Sequence, residues 1–129
     1  MARTKAGRDF MARVMGNGAH SDAGTGDMAP ADYMALSTNN DPPDEDNTSL
    51  PDEITVGTLA RAQATYAHTE GQASYTLTHT FTSDDTVTIR KVGVFNAPAG
   101  GTLVFEGLLD EVAVLTPSDQ VIITYTITL

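Results

Sequence analysis

A chain of 129 residues can build one domain with a modest core, and an apolar share of 40% is lean even for that. The absence of cysteine removes disulfides, thiol nucleophiles and cysteine-type zinc sites, and no apolar run approaches the roughly 20 residues that cross a bilayer. With 17 acids against 7 bases and a formal charge of −10, the body would repel phosphate, so neither nucleic acid nor membrane is an expected partner.

The charge is unevenly placed. Arg3, Lys5, Arg8 and Arg13 open the chain with Asp9 as their one acidic neighbour, and the remaining bases are Arg61, Arg90 and Lys91. A short basic arm on an acidic body suits docking onto an acidic partner surface. The overall balance serves solubility, and it also suits a protein working in concentrated salt, where self-repulsion is screened. The basic start is not followed by an apolar stretch of about 7–15 residues, so no secretory signal pattern is present.

Residues 1–30 read as an N-terminal arm and linker, and residues 31–129 as the folded domain. In the arm, Phe10, Met11, Val14 and Met15 fall on one stripe of a short helix that Gly16 would end. Such a helix is marginal alone in water, so it either packs on its own domain or orders on a neighbouring subunit. Arg3, Lys5, Arg8, Phe10, Met11, Arg13, Val14 and Met15 are therefore the candidate partner-binding residues. Residues 16–30 are rich in Gly, Ala and Asp and read as an extended link. His20, Asp22 and Asp27 lie there without a scaffold to hold metal geometry.

Ala31–Ser37 fits a buried strand or one helical turn equally well by period. Residues 38–53, TNNDPPDEDNTSLPDE, read as an exposed acidic loop with Leu50 as its single large apolar residue. Asp41, Asp44, Glu45 and Asp46 could collect a cation, but the spacing of a calcium loop is absent. Beyond Ile54 the texture becomes alternating. Ala60, Ala62, Ala64, Tyr66 and His68 form a weakly apolar period of two. After a turn at Glu70-Gly71, Tyr75, Leu77, His79 and Phe81 alternate with Thr76, Thr78 and Thr80, the clearest strand pattern in the chain. His79 then lies on the apolar face, and His68 is a candidate cross-strand neighbour without a carboxylate to make a catalytic pair.

Val87–Leu109 reads strand, turn, strand. Asn96-Ala-Pro-Ala-Gly-Gly101 is turn chemistry, in which Gly100 and Gly101 permit positive φ. Everything after about residue 60 is expected to pair with this hairpin. Val121–Leu129 alternates to the last residue and should lie near the centre of a sheet, beside Val87–Phe95 or Tyr75–Phe81. Six to eight short strands separated by turns predict an all-β fold, an antiparallel β-sandwich with an extended N-terminal arm that can hold a short helix. A core this lean suggests further burial between subunits, hence a homo-oligomer. No nucleophile elbow, phosphate loop or zinc-protease motif occurs, and most carboxylates sit in loops without apolar neighbours. No enzyme, cofactor or metal is expected.

The residues Ile89, Val92, Gly93, Val94, Phe95, Asn96, Ala97, Gly100, Gly101, Thr102, Leu103, Phe105 and Glu106, followed by the strand Val121–Leu129, resemble a pattern found in small structural proteins of tailed viruses. The pieces 31–37 and 59–82 are similar to the same group, which favours the strand reading of 31–37. The acidic stretch 38–53 departs from the pattern. The resemblance implies a β-sandwich of the virion. It would be a head-surface decoration, cement or turret subunit that assembles with itself and grips the major capsid protein through residues 1–30. A tail or baseplate protein that anchors a fibre is the rival expectation. A receptor- or glycan-binding module is a weaker one, given eight aromatics and no Trp.

Overall fold

The computed structural model describes residues 2–16 and 29–129. In chain order the elements are β1 (Ala2–Arg3), α1 (Lys5–Gly16), β2 (Tyr33–Ser37), a 3-10 turn (Gly57–Leu59), β3 (Ala62–Gln63), β4 (Thr65–Ala67), β5 (Ser74–Thr82), β6 (Val87–Phe95), β7 (Leu103–Leu115) and β8 (Gln120–Thr128). They form two antiparallel sheets, one of five strands in the order β1-β7-β6-β2-β3 and one of three in the order β4-β5-β8. The fold is the expected antiparallel sandwich.

The hairpin β6–β7 lies inside the larger sheet, but its neighbours come from the N-terminal part of the chain. Met34 pairs with Val94 and Leu36 with Val92, while Arg3 pairs with Phe105. The other strands after residue 60 do not pair with this hairpin as expected: β3 joins the large sheet beside β2, and β4, β5 and β8 make up the second sheet, because the turns after β5 and β7 carry the chain across the sandwich. These two crossings clasp each other: Ser83 N–H donates to Asp119 O at 2.7 Å and Ser118 N–H to Ser83 O at 2.8 Å. The C-terminal strand does pair with Tyr75–Phe81, in the register Leu77–Tyr125 and Phe81–Val121. It is nevertheless an edge strand rather than a central one, since β5 holds the middle of the small sheet.

The alternation at residues 60–68 is real, yet it does not make one strand. The chain changes sheet at Ala64, which is buried and donates its N–H to Asp32 O at 2.7 Å. Ala62 pairs with Met34 on one side of this switch, and Tyr66 with Leu77 on the other. The weak hydrophobicity of the stretch fits so small a pivot.

Alternation sorts the side chains. Leu36, Ile89, Val92, Val94 and Phe105 from the large sheet meet Leu77, Phe81, Ile123 and Ile127 from the small one, with Leu59 closing the layer. At the tip of the hairpin Asn96 Oδ1 accepts the Thr102 N–H at 2.7 Å. Gly101 there has φ of +73°, and a Cβ would lie 2.7 Å from both Asn96 Oδ1 and the Ala97 Cβ. The turn residues of the sequence are thus used as written. Further along, Arg90 alone lies opposite residues 109–112, a wide bulge of β7 that falls on the polar break Asp110-Glu111.

The arm is a helix packed on its own domain. Thr4, itself buried, caps it: Thr4 Oγ1 accepts the Gly7 N–H at 2.8 Å and donates to Leu103 O, while the Thr4 N–H reaches Val104 O at 3.2 Å. One residue therefore ends a strand pairing and begins a helix. Phe10 enters the main core. Gly7 lets the helix touch the backbone of β7, since a Cβ would sit 2.3 Å from Val104 O.

Gly7→Ala tests this docking by its sign. In a solvated helix the change would stabilise by about 1 kcal/mol. Against Val104 it should destabilise by about 1–3 kcal/mol in urea unfolding. Asp119 supplies an acid-limb test. Its carboxylate accepts the Thr116 N–H and then the Thr116 hydroxyl, which holds it below its ordinary value of 3.8. A carboxyl depressed on folding adds stability above its unfolded pKa and loses it as pH falls through the folded one. Asp119→Asn should therefore flatten the acid side of the stability–pH curve below about pH 4.

Candidate functional site

The outer face of the large sheet has a cover. Side chains of Ala35, Phe95 and Leu103 point away from the sandwich core, and Leu50 from the acidic loop packs onto them. Gly93 makes room for it: a Cβ there would lie 3.1 Å from Leu50. The loop expected to be solvated keeps most of its acids exposed, but it is pinned at Leu50 because this apolar face of the sheet has no second sheet to cover it.

Beneath the loop sits an ion pair. Lys91 on β6 and Glu106 on β7 are fully buried, with Nζ 2.7 Å from Oε1. Two asparagines of the loop complete their bonding. Asn39 Oδ1 accepts from Lys91 Nζ at 2.9 Å, and Asn47 Nδ2 donates to both oxygens of Glu106, at 3.2 and 2.9 Å. Two charges removed from water stay charged only when paired and further hydrogen-bonded, which this arrangement supplies. Nearby, Tyr125 is almost buried with no protein partner for its hydroxyl. Burial, and then the Glu106 charge, push that phenol far above its usual pKa.

A second clamp lies at the other end of the loop. Arg61 binds Glu53 through two bonds, of 3.0 and 2.9 Å, donates to the carbonyls of Ala97 and Gly100, and stands 3.5 Å over the centre of the Phe95 ring. It joins the loop, the β3 approach and the hairpin tip through one planar group.

The basic arm meets acids of its own chain. Lys5 Nζ lies 2.6 Å from Asp46, and Arg8 pairs with Glu45. The Asp46 hydrogen bond and charge, helped by Glu45, raise the Lys5 pKa. Arg3 donates to Thr128 O at 2.8 Å. Phe10 is buried, Met11 and Arg13 are half-buried, and Val14 and Met15 are exposed, Met15 at 86%. The stripe thus runs from a buried start at Phe10 to an exposed end at Met15. Met11, Val14 and Met15 line an apolar groove of about 570 Å³ with Tyr75, Phe105 and Leu129. This groove is what the arm residues present outward.

Other expectations resolve simply. His68 Nδ1–H donates to Ser74 O, 2.9 Å away, while His79 packs edge-on against Phe81; the β4–β5 register sets Ala67 opposite Thr76, so the two histidines are not cross-strand neighbours. Glu45 and Asp46 are turned to the arm, and among the described residues no group of three or more His, Asp or Glu could hold a metal. His20, Asp22 and Asp27 lie outside the described residues. Sequence reasoning missed Thr4, Gly7, Asn39, Asn47, Leu50 and the pairing of Lys91 with Glu106. The one available signal was a charge, Lys91 or Glu106, set directly beside the apolar run of each hairpin strand.

Lys91→Met leaves the Glu106 carboxylate buried with Asn47 as its remaining side-chain partner among the described residues. The expected loss is about 3–5 kcal/mol by chemical unfolding. Lys91→Met combined with Glu106→Leu should recover a large part of it, because the uncompensated charge is gone.

In comparison with protein families, residues 20–127 fit the model described as podophage GP4 fiber I protein gp80. The matched span covers most of the chain and runs through both sheets, the acidic loop and the hairpin. No curated protein matches.

Proposed function

The chain belongs to the podophage GP4 fiber I protein gp80 family, a component of tailed-virus particles, and on that premise we propose that it is a non-catalytic part of a tail fibre or of the piece that anchors one. The observation that carries this reading is the family match over residues 20–127, whose printed name is that of a fibre protein. That name favours the tail over a decoration, cement or turret role on the head.

The geometry supports a mechanical part. A fibre component has to transmit load and keep its shape without refolding. Here the strands, the loop and the N-terminal helix are tied to one another by the Lys91–Glu106 pair, the Arg61 clamp and the Thr4 cap. In this reading the outward end of the arm serves assembly. Val14 and Met15, with the apolar groove beside them, face a neighbouring virion protein, and the basic residues of the arm hold the helix against its own loop instead of gripping a partner.

Particles from a virus lacking this chain should keep intact, filled heads and lose fibre density at the tail. Density lost from all over the head shell would overturn the tail reading. For the arm, the double variant Val14→Asp, Met15→Asp should leave the thermal midpoint of the purified protein unchanged, since both side chains are exposed, and reduce its incorporation into particles severalfold. Undiminished incorporation would remove the arm from assembly.

A further inference from the structure

The sheet edges are not equally protected. In the large sheet β1 and β3 are two residues each, and the length of β7 beyond β1 carries Asp110 and Glu111 in its bulge. In the small sheet β4 has three residues. Short strands, charges and bulges are the usual ways of keeping an edge from pairing. β8 has none of them. It is nine residues long, QVIITYTIT, with no charge, no proline and no shift in its register with β5, and among the described residues β5 is its one strand partner.

The backbone direction along this edge follows from its two ends. Leu129 N–H donates to Ala73 O at 2.7 Å, and Ser83 N–H donates to Asp119 O at 2.7 Å. In an antiparallel ladder every second residue bonds the neighbour. The odd-numbered residues of β8 therefore face β5, and Gln120, Ile122, Thr124, Thr126 and Thr128 turn their N–H and C=O groups outward. Thr128 O is already taken by Arg3. Among the described residues no backbone group pairs with the outward groups of 120–126.

Charge indicates who can approach. None of the 17 acids and none of the 7 bases lies on β4, β5 or β8. A partner of opposite charge would be drawn to the acidic loops. A charge-free strand in a chain of −10 suits a partner carrying the same charge, another copy of itself. Ile122, 67% exposed, and Leu108, 41% exposed, stand beside the edge, and a groove of about 290 Å³ lies between residues 123–126 and the bulged stretch of β7.

We propose that β8 pairs antiparallel with β8 of a second copy about a two-fold axis near Thr124, fusing two three-stranded sheets into one of six. The contact is self-complementary: the outward residues of one copy meet those of the other, and the exposed Ile122 and Leu108 gain apolar cover. It does not depend on where in the particle the chain sits.

The test uses the whole purified chain in sedimentation velocity across a range of concentrations. A dimer is expected. Thr124→Pro removes an N–H that β5 does not use, so it should weaken the dimer at least about tenfold while strand content by circular dichroism is kept. Because the chain has no cysteine, Thr124→Cys gives a clean second readout that tolerates any strain from proline. Under mild oxidation its new thiols should join two copies, whereas those of Thr80→Cys, on the same face but on central β5, should not. A monomer at all concentrations, or equal cross-linking of the two thiol variants, would overturn the proposal.

Discussion

Lys91 and Glu106 face each other at 2.7 Å on the side of the hairpin that points away from the sandwich core. Neither ion can reach water, so neither tolerates the loss of its partner or of the asparagines that complete its bonding. This requirement organises the outer half of the molecule. It fixes β6 against β7, and it needs loop 38–53 in place because Asn39 and Asn47 come from that loop. Leu50 supplies the apolar part of the same contact, over a glycine that leaves space for it. The loop is thus a third layer on a domain whose strands form only two.

The arm and this layer hold each other. Lys5 and Arg8 meet Glu45 and Asp46 in ion pairs that are about half exposed and thus screened, so they orient the helix more than they stabilise it. The firmer attachment lies in Thr4, Gly7 and Phe10, which respectively cap the helix, allow contact with the β7 backbone and fill the core. Basic residues that look free in the sequence are mostly spent inside the chain. What remains outward is apolar and sits at the far end of the helix, where Val14 and Met15 adjoin Tyr75 and Leu129.

For a structural component of a tailed-virus particle this division of labour is coherent. The elements tied by buried polar groups give a body of fixed shape, and parts of the surface of this strongly acidic chain stay uncharged. The end of α1 and the edge of β8 are two such surfaces, and Arg3, which lines the groove at the first, reaches the end of β8. One offers apolar contact and the other backbone hydrogen bonds, so they suit different neighbours.

Much of the fold was legible because its signals are local. Alternation at Tyr75–Phe81 and Val121–Leu129, glycines and proline at residues 98–101, and the apolar stripe of the arm each describe a few adjacent residues, and each became the expected element. Alternation, however, tells which face a side chain takes and not which strand lies beside it. The sequence therefore could not show that the hairpin pairs with β2 and β1, that Ala64 switches sheets, or that the last strand forms an edge. Nor does a lysine in an apolar strand announce its partner fifteen residues away or the two asparagines that arrive from the loop. Those contacts are decided by burial shared among distant segments, and burial exists only once the sheets and the loop are stacked.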